Sequence, residues 1–504
     1  MLFRSAYLRN NRDGSFTPVP SQPAPRDHAA VAALPIPNAR LRPLVSSSNY
    51  KDDSNAAGGI EELAPDGSWE PTLRGPWSAV GPLALADIDL DGRLEAFVGS
   101  RVRPGRYPEA DPSRILRRVG GEWRPDDALS APLKDVGMIS GAVWSDIDSD
   151  GSPDLVLAVE WGPLRVFRNI KGHLEPLDVG LASFTGLWNG VTAGDFNGDG
   201  LMDLVASNWG TNTRHRPERL YWGDISGQGQ VEIVEAESEG GRWFPVRDLE
   251  TLGRVMPWVR EKHPTHRDHS LATVDSMLAG RKAALLETTC LETSLFLNQR
   301  GRFLRVPLPP AAQWSVAFGV SVADADGDGR EDIFLAQNFF GVHPQESRSD
   351  AGRGLWLRGD GKGGFDAIDG RASGIEVYGE GRGSALGDFD GDGRVDLLVG
   401  QNGWNTKLYR NTGGKPGLRV RLHGPQEGGG AYGAIVRVEY EGGRLGPARE
   451  LHDGSGYWSH DSIVPVMGLD AEPSAVRVRW PGGKETRVEV PKGAREVKVT
   501  AGER

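Results

Sequence analysis

The chain has 504 residues, 25% of them charged, with 69 glycines, 34 prolines and a formal net charge of −11. Length alone allows about three domains, and mild acidity argues against a nucleic-acid partner. One cysteine, Cys290, excludes an intramolecular disulfide, and no apolar run approaches the length of a membrane span.

The first residues, Met1-Leu-Phe-Arg-Ser5, lack a signal-peptide core. Tyr7-Leu-Arg-Asn-Asn-Arg-Asp-Gly-Ser-Phe16 then reads as an apolar strand, a Gly turn and a second strand. It is an outer hairpin without its inner half. Either it closes the last repeat or upstream sequence is missing. Residues 28–75, with a strand over 40–45, read as a degenerate repeat.

A nine-residue phrase follows, Asp-x-Asp/Asn-x-Asp-Gly-x-x-Asp/Glu, written five times and each time leading into an apolar strand. The copies carry Asp87, Asp89, Asp91 and Glu95; Asp146, Asp148, Asp150 and Asp154; Asp195, Asn197, Asp199 and Asp203; Asp324, Asp326, Asp328 and Asp332; and Asp388, Asp390, Asp392 and Asp396. Oxygen ligands at alternate positions suit a hard cation, and six to eight flexible oxygens suit Ca²⁺ better than Mg²⁺. The Arg394 carbonyl is a further expected ligand, with Arg93, Ser152, Leu201 and Arg330 in its place in the other copies. The loops hold 19 carboxylates, which is unfavourable without counter-ions, and about five Ca²⁺ would nearly cancel the net charge. An EF-hand needs a bidentate Glu at position 12 and flanking helices. Position 12 here is Val98, Leu157, Ala206, Leu335 or Val399.

The loops start 59, 49, 129 and 64 residues apart. A period of about 50–60 residues with several short strands per unit predicts propeller blades, and the longest interval fits two periods with one loop lost. The outer-hairpin phrase returns at Leu295–Phe303 and in part at Leu408–Gly413. A second degenerate blade is expected near 250–310, where 263–280 reads as helical. The count predicts seven blades, with six or eight as alternatives.

Within the lost interval, His263, His266 and His269 fall at i, i+3, i+6 and do not share one helix face. A solvated helix face is the preferred reading over zinc. Arg358-Gly359-Asp360 is better explained as a blade turn than as a recognition tripeptide. Asn208, Trp209, Asn212, Asn338, Asn402, Trp404 and Asn405 follow equivalent strands, so they belong on one face of the ring. Amides beside aromatic rings suit a sugar or a peptide. The preferred, plainer reading is that Asn caps its own turn and Trp packs between blades.

After Gly417 the loops stop. Alternating strands at 418–422, 434–440, 475–480 and 485–490 predict a small antiparallel sheet with one wet face.

The repeats resemble the FG-GAP/VCBS propellers, the group that includes the integrin α-chain head. In that group the loop joins the first two strands of a blade and holds Ca²⁺. The tail resembles the ASPIC/UnbV domain through Gly433-Ala434, Gly454-Ser-Gly-Tyr457, Gly468-Leu469 and Val478-Arg-Trp-Pro-Gly-Gly483. It departs from the pattern at Val466-Met-Gly-Leu-Asp470. Propeller plus tail is the arrangement of the cartilage acidic protein family and its bacterial relatives. The expected organisation is all-β: a propeller over 1–418 and a small β domain over 419–504. The resemblance implies an extracellular, periplasmic or cell-surface monomer that binds a glycan or a protein. A polysaccharide lyase or hydrolase with its site in the central channel is the alternative, and a structural scaffold is the third reading. No motif names a nucleophile or an acid–base pair.

Overall fold

The computed structural model describes residues 7–11, 15–19, 27–36, 41–48, 59–64, 66–74, 79–213, 218–344 and 346–502. The extreme N-terminus, where the signal-peptide reading falls, lies outside them.

The protein is a β structure built from repeated antiparallel sheets. Sheet one joins Asp27–Leu34, Arg42–Ser48, Gly59–Leu63 and Trp69–Arg74. Sheet two joins Val80–Ala86, Glu95–Ser100, Arg114–Val119 and Glu122–Pro125. Sheet three joins Met138–Ser145, Asp154–Gly162, Arg165–Ile170 and His173–Leu177. Sheet four joins Val191–Gly194, Asp203–Ala206, Ser294–Asn298 and Phe303–Pro307. Sheet five joins Ala317–Ala323, Asp332–Gln337, Leu355–Gly359 and Phe365–Ile368. Sheet six has three strands, Glu380–Gly387, Asp396–Asn402 and Lys407–Tyr409.

Each sheet packs its first strand beside the first strand of the next, from sheet one round to sheet six. Strands near the axis are buried on both faces, which is why they read as runs of Val, Leu and Ala rather than alternating. Val80–Ala86 is buried throughout, whereas Glu122–Pro125 on the rim buries only Trp123. That outer-strand residue is a recurring device. Trp123, Leu174, Phe303 and Phe365 each enter the core shared with the preceding sheet. Fully burying such a side chain is worth about 1.5–3 kcal/mol.

The N-terminal hairpin, Tyr7–Asn10 with Phe16–Val19, obeys the same rule beyond sheet six. Asn169 donates its side-chain amide to the Ile88 carbonyl in the loop of the preceding sheet, at 2.7 Å, and Asn298 does so to Ile147 at 2.7 Å. Asn10 makes the equivalent bond to Phe389, also 2.7 Å.

Three expectations change. First, 250–310 adds no further sheet to the ring: Ser294–Asn298 and Phe303–Pro307 complete sheet four. Between the second and third strands of that sheet lies an inserted sheet of Glu218–Gly223, Glu232–Glu239, Arg242–Pro245 and Ala284–Glu287 with short helices. Second, His269 is buried, its Nε2 2.9 Å from the Arg247 carbonyl, and is not on a solvated face. Third, the C-terminal region is not one antiparallel sheet. Leu418–His423 pairs parallel with Glu496–Thr500, while Ile435–Tyr440, Pro473–Arg479 and Glu485–Glu489 form a second sheet around one apolar core.

Segment 453–462 of this C-terminal region runs across the inner edges of the sheets. It touches the first strand of every sheet: Ala33 N donates to Asp453 (2.9 Å), Trp458 Nε1 to the Ser140 carbonyl (3.0 Å), and Leu386 N to Asp461 (2.7 Å). Leu85 bridges Asp453, Val191 bridges Gly456, and Gly456 lies against Val320. At Gly454 φ is +78°, and a Cβ would meet the Leu83 carbonyl oxygen at 2.2 Å. Gly454→Ala should therefore expel the segment, with faster amide exchange across 453–462 and a loss of about 2 kcal/mol or more from backbone strain and overlap.

Candidate metal centres and the face opposite them

Each loop joins the first two strands of its sheet. A glycine at position six takes positive φ, as at Gly393 (+85°), where a Cβ is disfavoured. Its N–H donates to the position-one carboxylate: Gly92 to Asp87 (3.0 Å), Gly151 to Asp146 (3.0 Å), Gly200 to Asp195 (2.9 Å), Gly329 to Asp324 (2.7 Å) and Gly393 to Asp388 (2.9 Å). In four loops the position-nine carboxylate accepts from the N–H of position two, as Glu95 does from Ile88 (2.9 Å) and Asp332 from Ala325 (2.9 Å). It also clasps the third strand: Asp154 accepts from Asn169 N, Asp203 from Asn298 N, Asp332 from Gly359 N and Asp396 from Asn411 N, all at 2.7–2.9 Å.

Positions one, three and nine converge. In four loops their carboxylate oxygens lie within 4.8 Å of one another: Asp87/Asp89/Glu95, Asp146/Asp148/Asp154, Asp324/Asp326/Asp332 and Asp388/Asp390/Asp396. The third loop has Asn197 among Asp195, Asp199 and Asp203, an amide oxygen in a carboxylate's place. Position five also meets the loop backbone, as positions one and three do. Asp91, Asp150, Asp199, Asp328 and Asp392 each accept from the N–H of position seven, that is Arg93, Ser152, Leu201, Arg330 and Arg394.

The donor set fits a divalent cation. Asp87 Oδ1, Glu95 Oε1, Asp146 Oδ1, Asp154 Oδ2 and Asp195 Oδ1 are buried without a hydrogen-bond donor, an arrangement that costs free energy unless a cation faces them. Burial pushes Asp87 and Asp195 up to about 6, Glu95, Asp146, Asp203 and Asp324 to about 7, and Asp154 and Asp332 to about 8. A bound divalent ion favours the ionised form and reverses that trend.

The C-terminal region docks on all five loops. Glu427 N donates to the Gly92 carbonyl (2.6 Å) and Gly482 N to the Gly151 carbonyl (2.8 Å). Arg479 pairs with Asp146 at 2.7 Å, Ala448 N donates to Asp195 at 2.8 Å, Gly468 abuts Asp324, and Arg419 pairs with Asp388. Arg419, Arg437 and Arg479 belong to the alternating strands, so part of the expected wet face is an interface.

The inserted sheet holds a sixth version of the loop that the triple-Asp pattern missed. In Asp224-Ile-Ser-Gly-Gln-Gly-Gln-Val-Glu232, Gly229 N donates to Asp224 (2.9 Å) and Ile225 N to Glu232 (2.8 Å). Ser226 Oγ donates to Glu232 Oε1, the atom equivalent to the orphaned Glu95 Oε1. A hydroxyl thus satisfies the oxygen that the first loop leaves without a hydrogen-bond donor. The Asp, Gly and Glu at positions one, six and nine were the readable signal.

The opposite face carries the strand ends where the Asn- and Trp-rich segments lie. Asn208 and Asn338 are fully buried; their amides donate to the carbonyls of Cys290 (3.0 Å) and Gly352 (2.9 Å) and are not offered to a ligand. Asn212 donates to the Trp314 carbonyl (2.9 Å), Asn402 to Glu380 (2.6 Å), and Trp209 packs on Phe339 at 5.4 Å. Asn405 is exposed, its carbonyl accepting from Gln401. Trp404 is 71% exposed. Composition did not single out Trp314 (54%) and Tyr378 (56%), which precede the first strands of sheets five and six on the same face.

The FG-GAP-like repeat profile matches residues 146–206, and the ASPIC and UnbV profile matches 424–504. Both expected units are therefore present. Cartilage acidic protein 1 of Xenopus tropicalis is 25% identical over 322 residues, covering 58% of this chain and 45% of that protein. Its Homo sapiens counterpart is 23% identical over 433 residues, covering 81% and 60%. The chain thus spans about half the length of these relatives. A rhamnogalacturonan lyase of Bacillus licheniformis aligns over 94% of this chain and 91% of that chain at 11% identity; its TM-score of 0.30 carries no argument. Among the described residues no helix is long and apolar enough to cross a membrane.

Proposed function

We propose that the protein is a calcium-stabilised, extracellular or cell-surface binding propeller that takes a glycan or protein partner on the face opposite the calcium loops. Calcium would be structural, held by positions one, three and nine of each loop with the position-seven carbonyl. The observation that carries the reading is the division between the two faces. The loop face is covered by the C-terminal domain, here placed at 419–504. The other face presents Trp314, Tyr378 and Trp404 at the ends of two adjacent sheets. Rigid, amphipathic rings give contact area at low entropic cost. Against the alternative, a polysaccharide-active enzyme with its site in a central channel, stands segment 453–462, which contacts the first strands of the sheets.

The test is binding of the calcium-loaded chain to a glycan array and to immobilised matrix proteins, followed by Trp314→Ala, Tyr378→Ala and Trp404→Ala. Each exposed ring should cost about tenfold in affinity where it is an anchor, with an unchanged melting temperature. Undiminished binding by the triple variant would remove the assigned face. Depolymerisation of a bound polysaccharide would replace the reading with the enzymatic one.

A further inference from the structure

Sheet six is the one sheet of the described ring with three strands. Its chain leaves the turn after Asn411 toward the fourth loop, where Lys415 N donates to the Asp326 carbonyl (2.9 Å), and enters the C-terminal domain. Among the described residues no outer strand returns along Lys407–Tyr409. In three other outer hairpins the residue five places after the capping Asn or Asp is the one that enters the preceding core: Leu174 after Asn169, Phe303 after Asn298, Phe365 after Asp360. Five places after Asn411 stands Pro416, which is exposed.

The consequence is an open pocket of about 460 Å³ where that side chain and its strand would lie. Its floor is Trp356, Ile375, Leu397 and Tyr409, which belong to the core between sheets five and six. Arg358, Arg371 and Arg410 line it. Asp326 and Asp332 in its wall belong to the fourth metal loop, and Arg410 pairs with Asp390 at 2.5 Å in the fifth.

We propose that this pocket is an acceptor for a strand supplied by a partner protein: an extended, acidic segment with one bulky apolar side chain. The segment would add a fourth strand along Lys407–Tyr409, seat its apolar residue on Trp356 and Leu397, and meet Arg371 with a carboxylate. Strand addition to an open edge takes its affinity from main-chain hydrogen bonds and its selectivity from side-chain pockets. Arg410 is held by Asp390 and Asp392 and Arg358 lies 3.9 Å from Asp366, so Arg371 is the cation that sets the sign of the partner. This site lies on the side of the ring and does not depend on the aromatic face.

The protein's own fifth sheet provides the probe. A synthetic peptide of residues 363–369, Gly-Gly-Phe-Asp-Ala-Ile-Asp, is the outer strand that fills the neighbouring position and carries one Phe and two Asp. It is titrated into the calcium-loaded full chain while following the fluorescence of the tryptophans. Saturable binding is expected, weakened about tenfold by Arg371→Glu, whose side chain is exposed. Peptides with Phe365→Ala, or with alternate backbone nitrogens methylated, should fail without any change to the protein. Absence of saturable binding, or binding indifferent to N-methylation and to Arg371→Glu, overturns the proposal. So does a concentration-dependent dimer abolished by Arg371→Glu, because the acceptor would then serve a second copy of this chain.

Discussion

Chelation of calcium is expected to lower the unfolding temperature by roughly 10–15 °C. A ligand at a hundred times its dissociation constant stabilises the folded state by about 2.7 kcal/mol per site. Five such loops act on one chain. An unfolding entropy of about 2.1 cal/mol/K per residue makes each degree worth about 1 kcal/mol for a protein of this size. Calorimetry in excess Ca²⁺ and in chelator, with metal analysis of the purified protein, measures both quantities. About five calcium ions per chain are expected. Because the C-terminal domain contacts all five loops, chelation should loosen it along with the ring, and its trypsin sites should open in the same calcium range. A protein that holds no calcium and melts at the same temperature in chelator would leave the loops as Asp-Gly turns.

What the sequence made legible was local. Alternate oxygens, a glycine at position six and a following apolar strand are consecutive in the chain, so the five loops and their second strands were readable. The outer-hairpin phrase was readable for the same reason, and even the odd N-terminal copy finds its place beside sheet six through Asn10. Relations across the chain were not readable. Arg419, Arg437 and Arg479 alternate with apolar residues as a solvent face would, yet they face carboxylates 31, 242 and 333 residues away, at Asp388, Asp195 and Asp146. Segment 453–462 is rich in Gly and Ser and reads as a loop; nothing local says that it contacts the first strand of all six sheets. Asn after a strand is equally suited to hold a ligand or a neighbouring carbonyl, and only burial decides that Asn208 and Asn338 do the latter. Exposure likewise decides for Trp314 and Tyr378, which no motif marks.

The position-nine carboxylate does two jobs, and they separate experimentally in the fourth loop. Asp332 accepts from Ala325 N and from Gly359 N, both at 2.9 Å, and is buried. Leaving a buried donor unsatisfied costs about 1–3 kcal/mol each. Asp332→Ala should therefore lower the melting temperature by about 2–5 °C even in chelator, and by more in calcium, where an ion is lost as well. Asp326 accepts from Asp328 N at 3.2 Å and is otherwise turned to the cluster with Asp324 and Asp332. Asp326→Ala should change little in chelator and cost about 2–3 °C in calcium, with one fewer ion bound. Equal effects of the two substitutions under both conditions would contradict this division. In four of the five loops the position-nine carboxylate ties the loop to the backbone of the third strand or of the residues just after it, whereas position three, which tolerates Asn197, reaches that strand only through arginine side chains, as Asp89 does with Arg117 and Asp148 with Arg168.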